Sequence, residues 1–550
     1  MQTAVILKIK NIMGECNCIL NQFKSTNSII CLKKHLWYFV NYKGGVMGMF
    51  NLVEKELKRR ENTSITENGA IGYKTSNSAL LDLNYAISSL RQSDEEEIMF
   101  LFDKAFYENK EYALKWLFFA RDIREGVGER RLFRICYKRL ADLDIDSFYK
   151  NLTNIPEYGR WDDLISLIGI KDEIDNRIHV MIEDQISSDL INIDAKKPIS
   201  LLGKWLPSEN ASSKNTKALA KKVRRLLGMT PRRYRLLLSK LRKYLKVTEV
   251  YTCSNKWESI DYEKVPSLAN LKYKNAFIRH DEKRRITYLK SVELGHSNMN
   301  MKVATPVDVV SRYCNGRMGV GEYDQTLELA WNNLKGMPIR DTLVVADGSG
   351  SMLMDISGKT TALDVANALA IYTSEHNNDP YRDKYITFSA SPQFVDLSKA
   401  ESLREKIEIA LNHDEVANTN IEAVFDLILN IACENDIQKG EMIESILIIS
   451  DMEFDVAQGG YYGKSNKLTR SLFDEIRKRY NDAGYDLPKL IFWNVNSRTK
   501  TIPLIENELG VILLSGFSQN VLKMVMSNNY NPYEVLIEIL DSERYNAIKV

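Results

Sequence analysis

Cysteine is scarce in this 550-residue chain, with seven residues, odd in number and, apart from Cys16 and Cys18, far from one another. That excludes a disulfide framework, and no third and fourth ligand accompanies the close pair to make a zinc site. Long apolar runs are absent too: none approaches the roughly 18 residues of a membrane helix. Residues 1–50 scatter Lys8, Lys10, Asn11, Glu15 and Asn17 among their apolar positions, so no secretory signal is legible. The expectation is a cytoplasmic protein without membrane contact. There is no G-x-x-x-x-G-K-[ST] string to cradle phosphates. Histidine is rare (His35, His179, His280, His296, His376 and His413), and none falls where a serine hydrolase needs its base.

What is present is an uneven distribution of charge. Residues 337–550 hold 20 basic and 32 acidic side chains, a net of −12. The chain totals of 75 and 73 leave 55 basic and 41 acidic in residues 1–336, a net of +14. A basic part joined to an acidic one suggests two domains with different partners, unless the two simply attract each other. Residues 1–46 lack arginine and any periodic pattern and read as a poorly ordered extension, or as a stretch foreign to the natural product. A basic helical module is expected over 47–336 and a second domain over 337–550.

From Ser78 to Asp194 apolar residues recur at helical spacing. Leu132, Cys136 and Leu140 stand four apart, and Asp94 to Tyr107 and Glu111 to Ile123 read the same way. Short breaks between such stretches imply helical hairpins stacked in a repeat-like array. From Asp341 the pattern changes to apolar strands (342–346, 385–388, 446–449, 490–495, 511–514) separated by amphipathic helices, the last near 520–526. Strands without alternation, divided by helices, predict a doubly wound parallel sheet. Residues 392–397 read as an antiparallel edge strand.

The sharpest local signal is Asp347-Gly348-Ser349-Gly350-Ser351, where the first strand ends and a helix is expected. One carboxylate and two hydroxyls at i, i+2 and i+4 can converge on a hard cation such as magnesium, with glycines bending the backbone. Thr419 and Asp451, at later element boundaries, offer further oxygens. The alternative is an ordinary tight turn. Glu453 and Asp455 follow closely, as outer-shell acceptors or as solvated loop carboxylates.

These residues resemble the metal-ion-dependent adhesion site of von Willebrand factor type A domains, whose first motif is D-x-S-x-S, over about 210 residues. The resemblance implies a Rossmann-like fold and Mg²⁺ or Mn²⁺ held by Ser349, Ser351 and Thr419, with Asp347 and Asp451 reached mostly through water. It also implies that a partner protein donates a carboxylate to the open position.

Between Glu209 and Glu249 there is no acidic residue and there are thirteen basic ones. Interleaved leucines make this two amphipathic basic helices broken at Gly228-Met229-Thr230-Pro231. Lys221, Lys222, Arg224, Arg225, Arg232, Arg233, Arg235, Arg242 and Lys243 are the candidate contacts to nucleic acid, with Tyr234 and Tyr244 for stacking on bases. The alternatives are a solvated face and one docked on the acidic half. A helical half followed by a von Willebrand A domain is similar in architecture to the Ro autoantigen proteins, whose helical TROVE module binds RNA. Closer still is a family of uncharacterised proteins of plants, fungi, bacteria and large viruses. Its features here are Thr66-Glu67-Asn68-Gly69-Ala70, Arg121 to Arg130, Ile155 to Asp163, and Ser450 to Asp455. Within these, Trp161 reads as a packed helix start or part of a functional cluster with Arg160, Asp162 and Asp163. Arg121 and Arg124 either line a groove or pair with Asp122, Glu125 and Glu129.

The resulting expectation is a non-enzymatic, RNA-associated scaffold, binding structured or single-stranded RNA, with a Mg²⁺-dependent ligand site. The rival is a metal-dependent protein adaptor without nucleic acid, and a metal-assisted hydrolase using Asp347 or Asp451 is a distant third.

Overall fold

The structure, a computed structural model, describes residues 51, 53–54, 57–314, 319–388, 391–415, 418–455, 471–507, 509–525, 527, 529 and 531–550. The expected extension at 1–46 lies outside the described residues. The chain divides into two units, residues 1–63 and residues 64–550.

Helices form where caps and apolar spacing agree. After α1 (Ala79–Tyr85), α2 (Glu95–Glu108) starts at Asp94, whose carboxylate accepts from Glu97 N at 2.8 Å, and three glutamates fill its first turn, where the helix dipole favours them. Its Ile98, Phe102, Ala105 and Phe106 turn inward. Asn109 caps α3 (Lys110–Arg121) in the same way. In α4 (Arg130–Leu143) Leu132, Cys136 and Leu140 are buried, as their spacing predicts. Phe118 meets Phe133, Tyr137 and Tyr158 edge-on at centroid distances of 5.2 to 5.9 Å. Burying such a ring stabilises by about 2–3 kcal/mol, so this cluster anchors the early helices.

Further along, α5 (Asp172–Asp194) packs against α6 (Lys214–Leu226) and α7 (Pro231–Tyr244). Thr230 caps α7 and Pro231 occupies its first turn, so the break predicted at 228–231 is where the chain turns. Leu241 sits on Gly203 so closely that a Cβ there would lie 2.5 Å from Leu241 Cβ.

The C-terminal part is built on a six-stranded sheet. Its strands are β1 (Thr342–Asp347), β2 (Lys384–Phe388), β3 (Gln393–Asp396), β4 (Ser445–Ser450), β5 (Lys489–Asn494) and β6 (Val511–Ser515). They lie in the order β6-β5-β4-β1-β2-β3, all parallel except β3, which pairs antiparallel with β2. Every residue of β4 is buried, which is why its sequence reads as an unbroken apolar run. α8 (Ala362–Glu375) packs on β1, β2 and β4. The chain moves from β1 to one side through β2 and to the other through β4. The reversal opens a crevice at the carboxyl ends of β1 and β4.

Two sequence expectations are corrected. The chain does not pass from the serine loop straight into a helix; a 3₁₀ turn (Gly350–Leu353) and a small hairpin (Asp355–Ser357, Thr360–Thr361) intervene before α8. The segment near 520–526 is 3₁₀ (Gln519–Met524), and the last α-helix is α9 (Pro532–Leu540). A proline at its first position and an Asn531 cap were the signals for it.

The helical and α/β parts share one contiguous core. Ser88, just after α1, donates to Asn494 O at 2.9 Å and accepts from Gly516 N at 2.8 Å, at the ends of β5 and β6. Beyond α9, Arg544 Nε bonds the buried Asp122 at 2.8 Å and Tyr545 stacks on Tyr158. At the other end of the helical series, Trp331 Nε1 donates to Glu375 of α8 at 2.8 Å. The α/β part thus grips both the first and the last helices. Among the described residues no helix is long and apolar enough to cross a membrane.

Candidate metal centre

Asp347 ends β1 and Asp451 follows β4, neighbouring parallel strands in register, so the topology brings two carboxylates to one crevice. Both are buried. Desolvation raises the pKa of each; for Asp347 the nearby charge of Asp451 adds to it, and for Asp451 the guanidinium of Arg498 opposes it.

The serine loop folds back on its own aspartate. Ser349 N donates to Asp347 Oδ1 at 2.9 Å, Ser450 Oγ donates to Asp347 Oδ2 at 2.6 Å, and the hydroxyls of Ser349 and Ser351 are 3.1 Å apart. The Ser351 hydroxyl also acts to lower the pKa of Asp451. The loop is only partly solvent-facing: Ser349 is 0% exposed, while Gly350 and Ser351 are half-buried. At Gly348 an added Cβ would lie 2.8 Å from Asp414 Oδ1, so the loop has room only for glycine. Burial raises Asp414 to about 6, against the hydrogen bond from Asn367.

Thr419, also buried, is fixed from two sides. Its backbone exchanges hydrogen bonds with Asp455, N to Oδ2 at 3.0 Å and O from N at 3.1 Å. Its Oγ1 accepts from Asn68 Nδ2 at 3.3 Å, and the same amide donates to Glu453 O at 2.6 Å. Asn68 belongs to a strap of residues 66–70. Thr66 Oγ1 donates to Phe454 O at 2.7 Å, Glu67 N to Glu453 Oε2 at 2.7 Å, and Ala70 N to Phe454 O at 3.4 Å. Glu453 is a buried hub and not a solvated loop carboxylate: its Oε1 also accepts from Arg498 N at 2.7 Å and Thr499 N at 2.8 Å. Arg498 Nη1 then reaches Asp451 Oδ2 at 3.0 Å, and its Nε bonds Glu67 at 2.5 Å.

Two buried carboxylates beside the hydroxyls of the serine loop, with Thr419 tied to the loop that follows Asp451, are the hard oxygen donors that a divalent cation takes. Asn68, Arg498 and the hub role of Glu453 were not legible as site features. The string Thr66 to Ala70 stands out in the sequence, but nothing in it says which carbonyls it binds more than 380 positions later.

The basic helices divide by role. Lys221, Lys222, Arg225, Arg232, Arg233, Arg235 and Lys243 are exposed and carry no ion pair among the described residues. Arg224 instead bonds Glu209 and Met229 O, both at 2.8 Å, and Arg242 donates to Gly203 O and Leu206 O at 2.9 and 2.6 Å. These two hold the fold together. Tyr234 is buried with its hydroxyl on Pro207 O, which corrects its expected role in stacking, and the Tyr244 hydroxyl donates to Lys197 O.

The motif arginines likewise find unexpected partners. Arg121 and Asp163 form a fully buried pair at 2.6 Å, which Arg134 joins at 2.7 Å, while Arg124 faces Glu157, Glu129 binds Arg91, and Glu125 binds Lys523. Trp161 is packed, at 9% exposure.

Comparison with known proteins gives matches of three kinds. Residues 341–544 match the domain of unknown function DUF7788, and residues 66–179 and 176–337 match the domain of unknown function DUF2828. An Acanthamoeba polyphaga mimivirus protein, "Uncharacterized protein L728", is 31% identical over 527 residues, covering 88% of this chain and 89% of its own. Among solved structures, the Deinococcus radiodurans Ro (RSR) protein matches over 79% of this chain and 92% of its own, at 12% identity and a TM-score of 0.31.

Proposed function

Since the chain belongs to the family of mimivirus protein L728, with DUF2828 and DUF7788 regions in succession, we propose that it is a non-enzymatic, RNA-associated scaffold. Its α/β part is a von Willebrand A-type domain with a Mg²⁺-dependent ligand site. The observation that carries the RNA reading is the face of α6 and α7: seven exposed cations without ion pairs among the described residues, on helices whose opposite sides pack on α5. Counterion release makes such a face a polyanion site.

Ser349, Ser351 and Thr419 would hold Mg²⁺ directly, with Asp347 and Asp451 behind them. The ion would supply an open position for a carboxylate of a partner. Ser349 is a poor candidate nucleophile, because among the described residues its hydroxyl bonds Ser351 and no imidazole. Purification before and after nuclease treatment tests the RNA reading. Co-purifying ultraviolet-absorbing material that disappears with RNase supports it, and protein free of nucleic acid that binds no added RNA favours the adaptor.

A further inference from the structure

Away from both the serine loop and the basic helices, a cavity of about 270 Å³ lies where the helical part meets the α/β part. Its wall takes Arg160 and Lys302 from the helical part and Gln519 from the turn after β6. The arginine is the odd one of its cluster. Asp163 is taken by Arg121 and Arg134, and Asp162 by Arg134 at 2.9 Å and Arg130 at 3.7 Å. Arg160 is left over the Trp205 ring at 4.6 Å, half-buried, with no ion pair among the described residues. A guanidinium partly removed from water and lacking a bonded carboxylate is stabilised by any anion that reaches it.

Gln519 supplies an independent signal. It is 4% exposed, and its Nε2 must face Ala304 O, an acceptor, at 3.3 Å. Its Oε1 is then fixed as an acceptor and is buried without a partner. The wall therefore asks for an anion at one place and a hydrogen-bond donor at another. The one carboxylate of the lining, Asp308, is occupied by Thr305 N and Oγ1, both at 2.9 Å. Arg91 is neutralised by Glu129 and lies over Phe517.

We propose that this cavity binds the phosphate-and-sugar unit of a nucleotide, with the phosphate on Arg160 and Lys302 and a sugar hydroxyl donating to Gln519 Oε1. The volume falls just under the roughly 300–1,000 Å³ of sites that enclose whole ligands, which leaves the base outside. The same unit is found in a free nucleotide and at the end of an RNA strand. The site is independent of the surface of α6 and α7, so either can fail without the other.

The experiment is calorimetry on the full chain with inorganic phosphate, AMP and a 5′-phosphorylated oligoadenylate, comparing the wild type with Arg160→Gln, Gln519→Leu and, as a control, Arg232→Glu/Arg233→Glu. The expected result is AMP or oligoadenylate binding that falls about tenfold or more in Arg160→Gln, a loss of one charge-assisted contact. Gln519→Leu should weaken AMP several-fold and leave phosphate unchanged, and AMP binding should be the same in the control. AMP binding as well as the oligonucleotide identifies a free nucleotide; oligonucleotide binding without AMP binding identifies an RNA end if Arg160→Gln weakens it, and overturns the assignment if Arg160→Gln leaves it unchanged. Absence of binding by all three probes, AMP affinity unchanged in both cavity variants, or phosphate binding as tightly as AMP would each overturn the assignment. Circular dichroism of both variants keeps unfolding from passing as lost affinity.

Discussion

Asn68 donates to Thr419 Oγ1 at 3.3 Å across 351 positions of chain, and from the same nitrogen to Glu453 O at 2.6 Å. The first bond orients a hydroxyl proposed to hold the metal; the second ties that orientation to the loop carrying Asp451. Asn68→Ala should therefore weaken Mg²⁺ binding by roughly fivefold, the worth of about 1 kcal/mol for one hydrogen bond. Calorimetric titration checks it, and unchanged affinity would make the strap a structural tie only.

Ser349→Ala with Ser351→Ala should abolish Mg²⁺ binding with little change in secondary structure, because both changes remove only oxygen atoms. Asp347→Ala should weaken binding more than Asp451→Ala, since Asp347 also holds Ser349 N and Ser450 Oγ. Equal losses in the two aspartate variants would contradict this division of roles.

Arg498 neutralises Asp451 in the absence of other cations. In Arg498→Gln the buried carboxylate loses its partner, a loss of roughly 2 kcal/mol, below the 3–5 typical of a fully buried pair because Arg498 is partly exposed. Thermal unfolding in chelator should show a lower Tm than the wild type, and Mg²⁺ should restore more of it in the variant. Equal Mg²⁺ shifts in both proteins would separate Arg498 from the metal centre.

Asp163→Asn should destabilise the chain by about 3–5 kcal/mol, because it strands the wholly buried Arg121 and leaves Arg134 with Asp162 alone. Denaturant unfolding measures it. A loss below 1 kcal/mol would mean that water reaches the pair.

Periodicity made much of the fold readable. Leu132, Cys136 and Leu140 mark one helix face, and the unbroken run of β4 marks a buried parallel strand. The pairing of distant carboxylates with arginines was not readable. Asp122 meets Arg544 because the C-terminal segment returns to the early helices, and Asp163 meets Arg121 across 42 positions of the helical series, whereas local spacing favours neighbours such as Asp122 and Arg124. At the crevice, D-x-S-x-S, Thr419 and Asp451 were visible as residue types at element ends. Arg498 and Asn68 were not, since they arrive from segments whose local sequence signals only turns. Tyr234 shows the opposite error: an aromatic among cations looks like a stacking platform, yet it sits at the core face of its own helix.

The most direct test of the scaffold reading is the salt dependence of binding to single-stranded RNA for the wild type and for Arg225, Arg232, Arg233 and Arg235 all changed to Glu. Each phosphate contact contributes about 0.7 to the log–log slope. The account predicts wild-type binding that weakens steeply with salt, and a variant with lower affinity and a slope flatter by up to about 3, its Mg²⁺ affinity unchanged. RNA binding of equal affinity and slope in the two proteins would contradict it.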